Sequence, residues 1–269
     1  PDPPMVAEPL RQRILAARGL VAEDARAAFL RPTLSEVTES RPLPGLETAA
    51  ALINDSIRSH HPIVIYGDYD VDGITSTAIL WHVIRELDPD APVRTYVPHR
   101  LEEGYGLNAE AIDALAADGA RTVITVDCGV TAVEEADRAR DLGLDLIITD
   151  HHRVREDGRL PAAAAIVHPG LPGQPHDFVD LCGAGVAWKL ALEIARQACG
   201  DRQVSPGLRT VLMEGLSLAA MGTIADVVPL VGENRAITHF GLRHLGQAEN
   251  PGLRALLEAA GSKDRADAE

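Results

Sequence analysis

Sulfur is scarce in this chain. Cys128, Cys182 and Cys199 are its three cysteines, widely spaced and without a paired motif. That excludes a disulfide framework and a thiolate zinc site, and it suits a reducing, cytoplasmic setting. No uninterrupted apolar run reaches the roughly 18 residues that would suggest a bilayer span. The stretch Pro1 to Arg18 is broken by Arg11, Arg13 and Arg18 and lacks the apolar centre of a signal peptide. Aromatic residues number nine, too few for an extended base-stacking platform. Lysine occurs only at 189 and 263, a bias we attribute to genome composition.

Positive charge is short too. Twenty-five basic residues against 40 acidic ones leave a net charge of −15. Such a field repels phosphate backbones and argues against a broad basic nucleic-acid face. An anionic ligand would then need a local counter-charge, and bound metal is the natural one.

What is present is a soluble globular pattern, 46% hydrophobic over 269 residues, enough to bury a real core. Residues 1–45 read as a separate helical extension, with helices over Met5 to Ala17 and Ala22 to Leu30. After the helix Leu46 to Ser59, strands and helices alternate. Strands are expected at 63–66, 93–97, 122–126, 144–149 and 163–167, with helices at 74–87, 108–117 and 132–142 between them. That rhythm predicts an α/β fold with a mainly parallel five-stranded sheet and helices on both faces. Past the Pro/Gly-rich stretch His168 to Pro175 the chain turns helical, with helices at 185–198, 207–221 and 234–247 and a short one from Gly252. The catalytic unit is expected over 46–261, followed by a frayed tail over 262–269.

Polar residues gather where strands end. The first strand runs into Gly67-Asp68-Tyr69-Asp70-Val71-Asp72-Gly73, the third into Asp127-Cys128-Gly129, and the fourth into Asp150-His151-His152. Carboxyl ends of parallel strands line one crevice, so the three clusters should meet. Asp226 is a fourth candidate, a lone acid in an apolar segment where an unpaired charge is costly. Carboxylates converging without matched cations call for divalent metal. Aspartate oxygens with imidazole suit Mn²⁺ best, with Mg²⁺ or Co²⁺ as substitutes, and the surplus of carboxylates suggests two ions. Taken singly, Asp-x-Asp also suits a solvated turn, His151 and His152 suit ordinary loop histidines, and Asp127 and Asp226 suit helix N-caps.

These clusters resemble the ordered motifs of the DHH phosphoesterase superfamily. Arg100 to Leu107, Cys182 to Leu190 and Gly222 to Leu230 narrow the resemblance to its RecJ family of single-strand-specific 5′-to-3′ exonucleases. The resemblance runs from about Leu20 to Gly261. It implies Asp70 and Asp72 as metal ligands, Asp127 as a bridging carboxylate, His151 as a ligand of the second ion and Asp226 as a later ligand. Asp68 would bind metal directly or through water, and His152 would face the scissile phosphate. Arg100 is the best local cation for a phosphate, with an ion pair to Glu102 or Glu103 as the alternative. Tyr69 and Tyr105 suit base stacking or core packing equally. Gly183 and Gly185 open a helix that suits either a phosphate cradle or close packing.

The family also carries a second substrate-binding domain marked by a glycine-rich motif. No Gly-Gly pair occurs here, so this chain is expected to be the catalytic N-terminal part of a longer protein and a weak DNA binder alone. The expected function is two-metal hydrolysis of single-stranded DNA in recombination and repair, by a monomer. Partnership with a single-strand-binding protein or helicase would run through regions outside the chain. Three alternatives stand. One is a phosphodiesterase for short oligonucleotides or cyclic dinucleotides, or a pyrophosphatase. Another is a haloacid-dehalogenase-type phosphatase, which lacks a suitably placed lysine and leaves both histidines unused. The last is a metal-free scaffold.

Overall fold

The computed structural model describes residues 7–200 and 204–262. Met5 and Val6 of the first expected helix, and the tail after Ser262, lie outside that range. Five strands form one wholly parallel sheet: β1 (Ile63–Gly67), β2 (Val93–Tyr96), β3 (Thr122–Val126), β4 (Asp145–Thr149) and β5 (Ala165–Val167). Their spatial order is β2-β1-β3-β4-β5. The chain therefore steps outward from β1 to β2, then returns past β1 to β3. Ligands collect at that reversal in open parallel sheets.

β1 and β3 are wholly buried, which is why they read as unbroken apolar runs. Their alternate side chains supply two cores. Ile63, Ile65, Ile124 and Val126 face a larger core with α4 (Leu46–Arg58), α5 (Val71–Leu87), α8 (Gly183–Cys199), α9 (Pro206–Ala225) and α10 (Gly232–Leu245). Val64, Tyr66 and Val123 face a smaller one with α6 (Ala109–Ala117) and α7 (Val133–Asp141). Helices thus cover both faces, as the alternation predicts.

The N-terminal residues form α1 (Ala7–Ala17), α2 (Glu23–Leu30) and a short α3 (Ser35–Thr38); α11 (Pro251–Ala259) is the last helix. A buried ion pair fastens this extension. Lys189 Nζ on α8 lies 2.6 Å from Glu233 Oε2 on α10 and 2.6 Å from Ser40 Oγ, just past α3. α9 is long and apolar enough to cross a membrane by length and composition, 20 residues with an 18-residue window of mean hydropathy 1.2. It packs between α5, α8 and α10, and that central position accounts for its composition.

Two boundaries matter for the site. α5 starts at Val71, three residues before the sequence reading places it, because Asp70 caps it: Gly73 N–H donates to Asp70 Oδ1 at 2.9 Å. Asp72 therefore sits in the first helical turn and not in a loop. α9 runs to Ala225, so Asp226 is its C-cap residue and not an N-cap.

Candidate metal centre

β1, β3 and β4 deliver Asp68, Asp127 and the Asp150–His152 run to the same sheet edge. Asp127 is turned inward by a left-handed backbone, φ +61°. Aspartate tolerates that region better than most residues, and the tight turn that follows holds it, with Thr125 Oγ1 donating to the Cys128 carbonyl at 2.8 Å. Its carboxylate is only 2% exposed.

Three groups of potential ligands result: Asp68, Asp70 and Asp127; Asp127, His151 and His152; and Asp72, His151 and Asp226. In each, the donor atoms lie within 4.8 Å of one another. Asp127 and His151 each belong to two groups. His151 Nε2 lies 3.1 Å from Asp127 Oδ1, 3.7 Å from Asp72 Oδ2 and 3.8 Å from Asp226 Oδ2. Asp68 Oδ1, Asp127 Oδ1 and His151 Nε2 are buried without a hydrogen-bond partner. Buried polar atoms are normally satisfied, so three orphans aimed at one spot mark an incomplete coordination sphere. The donors, oxygen and imidazole nitrogen without thiolate, fit a hard or borderline divalent cation.

Electrostatics lead to the same place. Burial pushes the Asp127 carboxyl far above the usual range, and the Asp72 charge adds to it. Burial also raises Asp68, and it raises Asp226 with help from Asp72. Without a cation this cluster resists ionisation; a divalent ion reverses that preference.

Asp72 is held from elsewhere. Gly183 and Ala184 N–H, at the start of α8, donate to its two oxygens at 2.6 and 2.9 Å. The helix N-terminus that suited a phosphate cradle is filled by the protein's own carboxylate. A β-carbon on Gly183 would lie 2.7 Å from Asp127 Oδ1, and one on Gly222 would lie 2.5 Å from Asp72 Oδ1. Neither glycine has room for a side chain.

Asp150 is the residue that sequence reasoning missed. Buried beneath the site, it accepts from Val130 N–H at 2.8 Å, from the N–H groups of His151 and His152 at 2.7 and 3.0 Å, and from His152 Nδ1 at 2.8 Å. Burial pushes its carboxyl up, but the hydrogen bond and charge of His152, with the backbone donors, hold it below the usual range. The Asp150 hydrogen bond in turn raises His152, outweighing burial. An acid closing an apolar strand was the available signal.

The remaining candidates line one wall. Tyr105, between Gly104 and Gly106 at φ +79° and +83°, places its hydroxyl 3.1 Å from His152 Nε2, with the rings edge-on at 5.7 Å. Arg100 stacks on Tyr69, its guanidinium carbon 5.0 Å from the ring centre. It makes no ion pair with Glu102 or Glu103 among the described residues. Glu103 instead takes Tyr96 Oη and His99 N–H, while Glu102 lies 3.9 Å from His99. Arg100 therefore remains available to an anion. Of the ten site candidates, seven converge on the cluster, Tyr105 touches it through His152, and Arg100 and Tyr69 form a pair beside it.

Comparison with known proteins points to one family. The chain is 40% identical over 253 residues to the single-stranded-DNA-specific exonuclease RecJ of Bacillus subtilis, an alignment covering 94% of this chain and 30% of the relative. Against the Escherichia coli RecJ of the same description it is 35% identical over 266 residues, covering 96% and 44%. The chain thus spans less than half the length of these relatives. A crystal structure of exonuclease RecJ bound to manganese superposes with TM-score 0.72 at 38% identity, over 84% of this chain and 54% of that one. RecJ from Thermus thermophilus in complex with Mn²⁺ gives 0.73 at 31% identity, over 94% and 34%. Residues 62–223 match the model of the DHH family N-terminal domain, which spans all three strand-end clusters, and the chain belongs to the DHH family.

Proposed function

We propose that this chain is the catalytic part of a single-strand-specific exonuclease that hydrolyses DNA phosphodiesters from the 5′ end with two divalent cations, Mn²⁺ best and Mg²⁺ or Co²⁺ as substitutes. The observation that carries the reading is the buried trio of unpartnered atoms on Asp68, Asp127 and His151. Asp68, Asp70 and Asp127 would hold one ion, and Asp72, His151 and Asp226 the other, with Asp127 shared. When bound, the pair supplies Lewis-acid activation of the phosphate and of the attacking water.

The chain's own residues do the rest. Asp127 and Asp72 fix the spacing, each wedged against a glycine that leaves no slack. Asp150 orients the His152 ring, and the raised basicity of His152 suits it to donate a hydrogen bond to a phosphate oxygen carrying developing charge. Arg100 offers a second cation, and Tyr69 and Tyr105 offer flat faces to a nucleotide.

The similarity to single-stranded-DNA-specific exonucleases at 35–40% identity supports single-stranded DNA as the substrate, and a role in recombination and repair is part of the same proposal. We assign residues 1–45 as a helical extension and 46–261 as the catalytic unit, within a cytoplasmic protein that acts as a monomer. A single-strand-binding protein or helicase would engage regions outside the chain. Single strands labelled at either end, a duplex, and a bis-nitrophenyl phosphodiester are incubated with the chain and Mn²⁺. Mononucleotides released from the 5′ end of single strands alone support the reading. Hydrolysis of the small diester alone overturns the DNA assignment.

A further inference from the structure

The metal cluster has two unlike walls. Arg100, Tyr69 and Tyr105 make one polar and aromatic. The other is aliphatic and open to solvent: Val71 and Ile74 at the start of α5, with Ile224 and Val227 at the end of α9, are 45%, 51%, 43% and 86% exposed. The two segments meet at Gly222, whose missing side chain lets α9 close on Asp72 and Thr75. Val71 lies between Asp70 and Asp72, and Val227 directly follows Asp226. The exposed aliphatic residues therefore flank candidate ligands in the chain, on two helices whose ends meet at Gly222.

Val227 is the informative residue. Its φ is +61°, in the left-handed region at the position just after the α9 C-cap. Glycine is the usual occupant of such a position, and a β-branched residue there is an outlier. Packing does not explain the choice, because the side chain is the most exposed valine recorded among the described residues. A strained, solvent-facing valine beside a candidate ligand is a cost without a folding return, and strain of this kind clusters at ligand-contacting sites.

We infer that Val227, with Ile74 and Ile224, forms an apolar shelf for the nucleobase next to the scissile phosphodiester. This rests on the function proposed above. A phosphate seated on the carboxylate cluster brings its nucleosides close to the residues beside the ligands, and these four are exposed and aliphatic. Apolar side chains set against bases unstack them without reading sequence, as a sequence-tolerant nuclease requires. The patch is a few side chains wide, the scale of one base and far below that of a protein interface.

The test compares two single-stranded oligonucleotides of equal length, one with normal terminal nucleotides and one with tetrahydrofuran abasic residues there, in the parent chain, Val227→Gly and Ile74→Ser. The parent is expected to favour the base-bearing strand about tenfold in kcat/KM, on the order of one small apolar contact. Both variants should bring that ratio near unity while calorimetric Mn²⁺ affinity stays unchanged. Val227→Gly should also raise Tm by roughly 2–4 °C, since strain is relieved. A parent ratio of one, or the parental ratio kept by both variants, overturns the shelf alone. Failure of the parent to cleave either strand overturns the nuclease reading, and the shelf falls with it.

Discussion

His151 Nε2 and Asp127 Oδ1 lie 3.1 Å apart, both buried, yet no hydrogen bond joins them. Both belong to one group of potential metal ligands, so a single cation could take the oxygen and the nitrogen together. A protein that places two complementary groups so close without letting them bond has reserved the space for something else.

Metal should therefore act as a folding ligand as well as a cofactor. Mn²⁺ at about 100 times its dissociation constant should stabilise the chain by about 2.7 kcal/mol. Differential scanning calorimetry with and without chelator would measure this. An unchanged Tm across an Mn²⁺ titration would remove the two-ion assignment.

Asp127→Ala should abolish turnover and the binding of at least one ion, since Asp127 belongs to two of the three ligand groups. His152→Ala should keep the ions and lose mainly rate, on the order of 10²-fold. Isothermal titration beside single-turnover kinetics separates the two, and an empty site in His152→Ala would make that residue a ligand first.

Asp150→Ala leaves four donors without their acceptor, two of them the backbone N–H groups of His151 and His152. Each unmet buried donor costs about 1–3 kcal/mol, so a loss of at least about 2 kcal/mol in urea unfolding is expected. Turnover at saturating Mn²⁺ should fall about as far as in His152→Ala. Wild-type kcat in this variant would show that the histidine needs no orienting partner.

Gly183→Ala adds a methyl group 2.7 Å from Asp127 Oδ1. Mn²⁺ affinity should drop at least tenfold with the fold retained in circular dichroism. Gly207→Ala makes a suitable contrast: the added methyl there meets the end of the flexible Glu86 side chain, far from the cluster, and metal affinity should hold.

Acid stability carries its own signature. His82 Nε2 sits 3.0 Å from the Asn250 amide nitrogen and so accepts a hydrogen bond, which requires the neutral ring. Burial lowers its pKa below the ordinary 6.5, with Glu214 opposing. The unfolded chain thus takes up this proton first, and the contribution is complete above pH 6.5 and is lost as pH falls below it. His82→Gln should flatten the pH dependence of Tm below about 6.5. An identical slope in the variant would place the acid sensitivity elsewhere.

The sheet was legible in the sequence because its central strands are buried on both faces and read as apolar runs. The candidate ligands Asp68, Asp70, Asp72, Asp127 and His151 were legible because they follow such runs, whereas Asp226 closes the helix α9. Less visible was what supports them. That Asp72 rests on the amides of Gly183 and Ala184 depends on how α8 docks, more than a hundred residues away. The Asp150 contacts arise from a turn, which periodicity does not encode. The early start of α5 was missed because Val71 and Asp72 read as loop until Asp70 is seen to cap the helix. Arg100 read as a candidate cation for a phosphate or as an ion-pair partner of Glu102 or Glu103, and its seat on Tyr69 is a contact across a loop that spacing alone leaves open.

The docking of Asp72 on α8 also makes the candidate cluster a long-range construction. Asp68, Asp70 and Asp127 come from the first half of the chain, whereas the amides that seat Asp72 open α8 and Asp226 closes α9. The full set of candidate ligands is therefore assembled only when the helices that follow the sheet are packed against it.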